Sequence, residues 1–240
     1  MATYHEDGNR DFRRYIESGV PMTGIMGANL LYMSQMGKMG GVNQGLASAL
    51  ARDAMTKDPR LTINNVDVNK AFRKMGFKAP FDLSAFGAAY HPRSNTVNAP
   101  KGNYGFLAHE LGHAEQYKNP LYRKTLAPFS AAGRIAANFG VLAPILTDNE
   151  QEARRNSIVA GAMQVPTLIE EIDASRRGSN ILKKQMASKP AVLGTKTSKL
   201  GQALMRLRPF VGLPTYAMAA MTPYLIYQYM KNRGLYEGEY

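Results

Sequence analysis

Residues 104–117 read YGFLAHELGHAEQY, and the fold prediction starts from the helical pattern of this stretch. Its apolar side chains are spaced so that they can pack along a helix, and no proline follows until Pro120. These apolar residues are Phe106, Leu107, Leu111 and Ala114. The stretch is therefore predicted to be a helix whose apolar side packs against the rest of the protein.

Two histidines of this helix, His109 and His113, lie four residues apart and enclose Glu110. Because residues i and i+4 project from the same side of a helix, both imidazoles can reach one metal ion. A glutamate directly after the first histidine points towards the open coordination position, where it can accept a proton from water. Gly112 would let another backbone or a substrate approach closely, although glycine costs about 1 kcal/mol inside a helix. The alternative interpretation is a pair of surface histidines beside an ordinary helix glutamate.

The chain has no cysteine, so a bound metal must be held by histidine nitrogen and carboxylate oxygen. Zinc in a hydrolytic site takes three protein ligands and leaves one position open. The third ligand must come from a second element, and Glu170, Glu171 and Asp173 are the best candidates. The remaining histidines, His5 and His91, are more typical of loop or packing positions than of ligands.

Three segments carry a resemblance to a known family. They are AAYHPRSNTVNAP at 88–100, LAHELGHAEQ at 107–116 and IEEIDASRRG at 169–178. In order and spacing they resemble the bacterial neutral zinc metallopeptidases of the YugP type, over about residues 85 to 182. The resemblance implies a zinc peptidase of the HExxH, gluzincin-like type with Glu171 as the third zinc ligand and Glu170 as its more exposed neighbour. It also implies association with a membrane.

The expected fold is mainly α with a small β element, an α+β class. A zincin-like metallopeptidase core would be built on the HExxH helix, with additional apolar helices. Four consecutive segments are predicted: a Met/Gly-rich helical region at 1–60, the metallopeptidase core at 61–182, a basic linker at 183–208 and an apolar helical segment at 209–240.

Local signals refine this division. Asp67 is predicted to cap a short helix that stops at Gly76, and the helix-compatible run 151–177 is predicted to break or bend near Pro166. Residues 96–98 are predicted to form a brief strand. This strand would either lie along the cleft and pair with an extended substrate, or be an ordinary edge strand.

The formal net charge of +12 favours an acidic partner surface. Residues 176–208 are rich in lysine and arginine, contain no acid and precede the charge-free stretch 209–230. Such an arrangement is expected of a polybasic patch at an anionic membrane, but also of a solvated linker; nucleic acid ranks third because aromatic residues are nearly absent there.

The charge-poor stretches 18–37, 125–147 and 209–230 are each about long enough to span a bilayer, at roughly 20 residues, and equally suit buried or interfacial helices. The N-terminus lacks the basic start and apolar core of a cleaved signal peptide. The expected location is therefore membrane-associated or cytoplasmic, or within a virion.

The leading functional hypothesis is a zinc-dependent metallopeptidase in which Glu110 is the general base and Zn²⁺ the cofactor, acting on a protein or peptide. Asp173 would orient a ligand histidine or pair with an arginine, and Arg176 would contact substrate or support the site. Oxyanion-stabilising donors could be Arg176, Arg177, Tyr104 or Tyr117. The alternative is a structural or membrane-contacting delivery component, such as a phage virion protein, that retains a zinc-peptidase fold.

Overall fold

The structure, a computed structural model, describes residues 38–76, 87–140, 142, 144–188 and 198–236, together with scattered positions between 19 and 36. The helices are α1 (Gln44–Lys57), α2 (Val68–Lys74), α3 (Tyr104–Tyr117), α4 (Pro120–Lys124), α5 (Leu126–Gly140), α6 (Glu150–Ala162), α7 (Val165–Ser188), α8 (Lys199–Leu207) and α9 (Leu213–Asn232). The strands are β1 (Thr62–Val66), β2 (Ala89–His91) and β3 (Thr96–Pro100), and a 3₁₀ helix covers Arg208–Gly212. The prediction of a mainly α fold with a small β element is confirmed.

The chain divides into two compact units. The sheet unit contains residues 31–127 and 169–213, and the helical unit contains residues 1–30, 128–168 and 214–240. This division differs from the four consecutive segments predicted from the sequence, because α1 and α8 both belong to the sheet unit. The two ends of the predicted linker 183–208 are helical, in α7 and α8, and residues 189–197 lie outside the described part. Much of the predicted region 1–60 before α1 also lies outside it.

The sheet has the strand order β1-β3-β2. Strand β1 pairs parallel with β3, with Ile63 opposite Val97, and β2 pairs antiparallel with β3, with Tyr90 opposite Val97. The predicted strand at 96–98 is therefore present and slightly longer. Its predicted edge position is wrong, because β3 is the central strand and both of its edges are already occupied.

The larger of the apolar clusters in the sheet unit joins the sheet to the helices. Alternation along β3 turns Val97 and Ala99 inward, where they are buried, while Asn98 between them is only partly buried. Apolar side chains of α1, β3, α3 and α7 fill this core: Leu46, Leu50, Val97, Ala99, Leu107, Leu111, Leu182 and Met186. The core therefore packs α3 and α7 against each other.

The local signals at α2 and before α7 agree with the structure. The Asp67 side chain accepts a hydrogen bond from the backbone N–H of Lys70, and Gly76 follows the helix with φ +84°. The helix-compatible residues 151–177 form two helices, α6 ending at Ala162 and α7 beginning at Val165, as predicted. Pro166 therefore lies in the first turn of α7, where proline is tolerated.

The helical unit has its own small core, formed by residues of α6 and α9 and of the segment after α9. Tyr227 of α9 donates a hydrogen bond to the Glu150 carboxylate at 3.1 Å, and Lys231 forms an ion pair with the same carboxylate at 2.6 Å. These contacts tie the two helices together at the start of α6.

None of the helices within the described ranges combines the length and the apolar composition that crossing a membrane requires. The charge-poor stretches 125–147 and 209–230 contain α5 and α9, whereas 18–37 is described only at scattered positions.

Candidate metal centre

Helix α3 is held deep in the sheet unit from its first residue. The Asn103 side chain caps it by accepting a hydrogen bond from the backbone N–H of Phe106 at 3.1 Å, and Gly102 before it has φ +74°. Nearly every residue of the helix is buried, including His109, Glu110 and His113. The predicted helix is therefore confirmed. Because both histidines are buried, the alternative of two surface histidines is wrong.

Small residues let α3 and α7 approach until their backbones touch. A methyl group added at Gly112 would collide with the backbone of Ala174, and one added at Gly178 would lie 2.5 Å from the Ala108 carbonyl oxygen. Ala108 and Ala174 are themselves fully buried. Each helix thus presents a small residue at two positions four apart, a spacing that allows close crossing. Of the two interpretations of Gly112, the structure supports the approach of another backbone.

This crossing brings one carboxylate of α7 between the two histidines of α3. Glu171 Oε2 lies 3.0 Å from Nε2 of His109 and 3.4 Å from Nε2 of His113. Tetrahedral ligands about 2.0–2.1 Å from a zinc ion are about 3.3 Å apart, so these separations fit a shared ion. The three residues form the group of possible metal ligands in the described part of the chain, and all three are buried.

A hydrogen-bond chain fixes which nitrogen of His109 carries the proton. The Ser175 hydroxyl donates to the carbonyl oxygen of Pro209 at 3.0 Å, so it can only accept from His109 Nδ1, also at 3.0 Å. With the proton on Nδ1, Nε2 of the neutral ring has a lone pair. That lone pair faces Glu171.

A second chain does the same for His113. The Gln116 amide nitrogen donates to the Glu170 carbonyl at 2.8 Å and to Asp173 Oδ2 at 3.1 Å, which fixes the orientation of the amide. The amide oxygen therefore faces His113 Nδ1 at 2.9 Å and accepts its proton. The Nε2 lone pair of His113 again points to Glu171.

Two imidazole lone pairs and a carboxylate oxygen converge on one point, and such a set requires a cation between its members. Without a metal, that cation is a proton. Burial would lower the pKa of His113, but its hydrogen bond to Glu171 and the charges of Glu171, Glu110 and Glu170 outweigh burial and raise the pKa to about 9. Burial would raise the pKa of Glu171, but hydrogen bonds from both histidines hold it well below its usual range.

Glu110 is buried beside the two histidines without being one of the converging ligands. Burial raises the pKa of its carboxyl group, while the two histidines and a hydrogen bond from the backbone N–H of Tyr90 act in the opposite direction. A buried carboxyl with a raised pKa, oriented by a backbone donor, has the properties of a proton acceptor that later returns the proton.

The other predicted site residues take different positions. Glu170 is fully buried, with Oε1 3.7 Å from His113 Nδ1, so its expected exposure is wrong. Asp173 pairs with Arg176 at 2.8 Å and Arg177 at 2.7 Å, and it also accepts a hydrogen bond from Gln116, the residue that contacts His113. Within the described residues, the side-chain contacts of Arg176 link it to the site through Asp173.

Among the remaining candidates, Tyr104 is buried, and Tyr117 packs against Tyr90 with ring centroids 5.6 Å apart. His91 lies on β2 within 3.0 Å of the Asn98 amide and is not among the possible ligands. His5 lies outside the described residues.

Two orienting residues were not assigned a role from the sequence. Gln116 lies three residues after His113, and Ser175 lies four residues after Glu171, so each shares a helix face with a ligand. This spacing was a usable signal, but it identifies a hydrogen-bond partner only once the crossing of α3 and α7 is known.

Comparison with known proteins gives no match: neither a protein-family model, nor a curated protein, nor a solved structure matches this chain. The function therefore has to be argued from the geometry of the site.

Proposed function

We propose that the protein is a zinc-dependent metallopeptidase, with zinc held by His109, His113 and Glu171 and with Glu110 as general base. The observation that carries the proposal is the convergence of two Nε2 atoms, each fixed as a lone-pair donor, on one carboxylate oxygen. Two imidazoles and one carboxylate are a ligand set typical of catalytic zinc, which keeps a fourth position open. The sequence resemblance at 88–100, 107–116 and 169–178 points the same way and favours a zincin-like core.

When bound, zinc would polarise the scissile carbonyl and lower the pKa of a coordinated water towards about 7. The residues of the chain supply the rest of the chemistry. Glu110 takes a proton from the attacking water and delivers it to the leaving amine, while the Tyr90 N–H keeps its carboxylate in place. Glu171 remains ionised, and Ser175 and Gln116 hold the two imidazoles in the tautomer that metal binding requires.

The position of the outer strand β2 beside Glu110 favours peptide hydrolysis over other hydrolytic reactions. Strand β2 contacts the general base through the Tyr90 backbone, and among the described strands only β3 pairs with it. An outer strand beside the base can align an extended polypeptide through those backbone groups that neither β3 nor Glu110 occupies. This assigns to β2 the role that the sequence suggested for residues 96–98.

Replacement of Glu110 by glutamine tests the proposal. Glu110→Gln keeps the shape of the side chain and all three ligands, so zinc content is expected to be unchanged while casein cleavage falls by about 10²- to 10⁴-fold. Glu115→Gln is the matched control, because Glu115 lies on the same helix but is exposed and pairs with Lys118. Its activity should equal that of the wild type.

The proposal fails if the zinc-loaded wild-type protein cleaves neither casein nor a peptide mixture. Zinc bound without turnover would favour the structural or delivery role instead. Equal activity of Glu110→Gln and wild type would exclude Glu110 as the base.

A further inference from the structure

A cavity of about 780 Å³ lies beside β2 and adjoins the candidate metal centre, while another of about 870 Å³ lies along α6. The walls of the cavity beside β2 come from the end of α1, the turn between β2 and β3, the end of α3 and α4. Four basic side chains line it, with one acid among them. The basic residues are Arg60, Arg93, Lys118 and Arg123.

The cavity adjoins the candidate metal centre through two tyrosines. Tyr90 lines the cavity with its side chain, and its backbone N–H bonds the Glu110 carboxylate. Tyr117 also lines the cavity and lies one helical turn after His113, on the same side of α3. A polypeptide bound at the metal centre would therefore reach this cavity within a few residues of the bond that is cut.

The single acid of the cavity does not neutralise its charge. Asp58 lies 3.9 Å from Lys118 and 4.0 Å from Arg60, and it accepts a hydrogen bond from Asn95. In the described part of the chain, neither Arg93 nor Arg123 forms an ion pair with an acid. The cavity thus keeps an excess of positive charge with two guanidinium groups available to a ligand.

Guanidinium groups bind carboxylates through paired hydrogen bonds, and the tyrosine rings provide an apolar floor for the methylene groups of a side chain. Lysine and arginine side chains would be repelled from the same cavity. We propose that this cavity is a specificity subsite that binds acidic side chains of a polypeptide substrate close to the scissile bond. The inference rests on the proposed peptidase function and adds the substrate class to it.

Binding of a labelled peptide tests the subsite without any catalysis. The probe is a fluorescein-labelled hexaglutamate peptide, titrated into full-length Glu110→Gln protein at low and moderate salt. The peptide is expected to bind, and binding should weaken as salt rises, because exposed charges are screened. Arg93→Ala combined with Arg123→Ala should weaken binding by about tenfold.

The matched control removes two positive charges elsewhere. Arg52→Ala combined with Lys74→Ala changes exposed helix residues that do not line the cavity, and it should bind the peptide like the parent protein. Equal weakening by both double variants would overturn the subsite, because the effect would then come from net charge alone. Absence of hexaglutamate binding would also overturn it, as would a glutamine peptide of the same length that binds as tightly as hexaglutamate.

Kinetics of the active protein separate this inference from the proposed function. If the protein cleaves peptides, the Arg93 and Arg123 double variant should raise KM for a glutamate-flanked substrate about tenfold and leave KM for a glutamine-flanked one unchanged. Cleavage with no preference between the two substrates would overturn the subsite and leave the peptidase proposal intact. Binding of hexaglutamate to a protein that cleaves no peptide would contradict the peptidase proposal and would leave the acidic-peptide site supported.

Discussion

At the scale of single residues, the site depends on the protonation pattern of two imidazoles. The Ser175 hydroxyl donates to the Pro209 carbonyl, and the Gln116 amide nitrogen donates to the Glu170 carbonyl and the Asp173 carboxylate, so both residues can only accept from the histidines. A hydrogen-bond partner able to act as either donor or acceptor would not determine which ring nitrogen of the histidine carries the proton. These two residues therefore orient both rings with Nε2 towards Glu171, so that a metal ion can replace the proton held there.

Removal of the Gln116 side chain tests this positioning role. Gln116→Ala leaves His113 Nδ1 without its acceptor, so zinc affinity is expected to fall by about 10- to 100-fold. The measurement is a competition titration with a zinc chelator, together with circular dichroism of the metal-free protein to check folding.

Gln185→Ala is the matched control for this variant. Gln185 is also a buried glutamine of the sheet unit, but it lies on α7 beyond the site, and its amide nitrogen has no hydrogen-bond partner among the described residues. Its removal should leave zinc affinity unchanged. If both variants lose affinity equally, Gln116 acts through general packing and not through His113.

The sequence predicted which three residues come together as possible ligands, but it did not predict the residues that hydrogen-bond to them. The spacing of His109 and His113 is local to one helix, so helix geometry alone relates the two rings. Glu171 was singled out from its neighbours by the resemblance, whereas residue chemistry left Glu170 and Asp173 equally open. The burial of Glu170 depends on how α7 is rotated against α3, which no local pattern of charges reveals.

At the scale of elements, the site exists because two helices cross with their backbones in contact. Gly112 and Gly178 occupy the crossing point, and Glu171 and Ser175 lie on the face of α7 that this contact turns towards α3. Glycine lowers the helix propensity of both segments by about 1 kcal/mol per residue. Their presence is explained by the close approach that ligand distances of about 3 Å require.

Substitution at the crossing tests this explanation. Gly178→Ala would place Cβ 2.5 Å from the Ala108 carbonyl oxygen and 3.0 Å from the His109 backbone nitrogen, so the helices must separate. The cost of such overpacking, about 1–3 kcal/mol, exceeds the gain in helix propensity. The free energy of unfolding should fall, and zinc affinity should fall with it, as measured by denaturant titration and chelator competition.

Gly24→Ala is the control for the intrinsic effect of alanine, because Gly24 is helical and has open space at its Cβ position. It should be neutral or slightly stabilising. A Gly178→Ala protein that behaved like this control would show that the crossing of α3 and α7 does not require glycine at this position.

Strand β1 marks the limit of local prediction for elements. Its sequence TINNV contains two asparagines, which are uncommon in strands, and none of its five residues is buried. It is a strand because β3 offers it a partner in parallel register, a contact between residues that are far apart in sequence. The same missing contact explains why 96–98 was expected at an edge.

At the scale of the whole molecule, the candidate site lies entirely within the sheet unit. The residues that form it come from β2, α3, α7 and the 3₁₀ helix, and the chain leaves this unit between residues 128 and 168 before returning through α7. Composition divides a chain into consecutive pieces, so it could not predict a unit assembled from separated segments. A metal bound between α3 and α7 would link two segments of the sheet unit that are separated in sequence by residues 128–168, and it is expected to stabilise this unit.

The coordination shell of zinc tests the central claim most directly. X-ray absorption at the zinc edge, on protein loaded with one equivalent, should show two imidazole nitrogens and carboxylate oxygen at about 2.0–2.2 Å. His113→Ala should lose one imidazole from that shell. A shell of water oxygens or methionine sulfur, or a protein that does not retain zinc, would contradict the account.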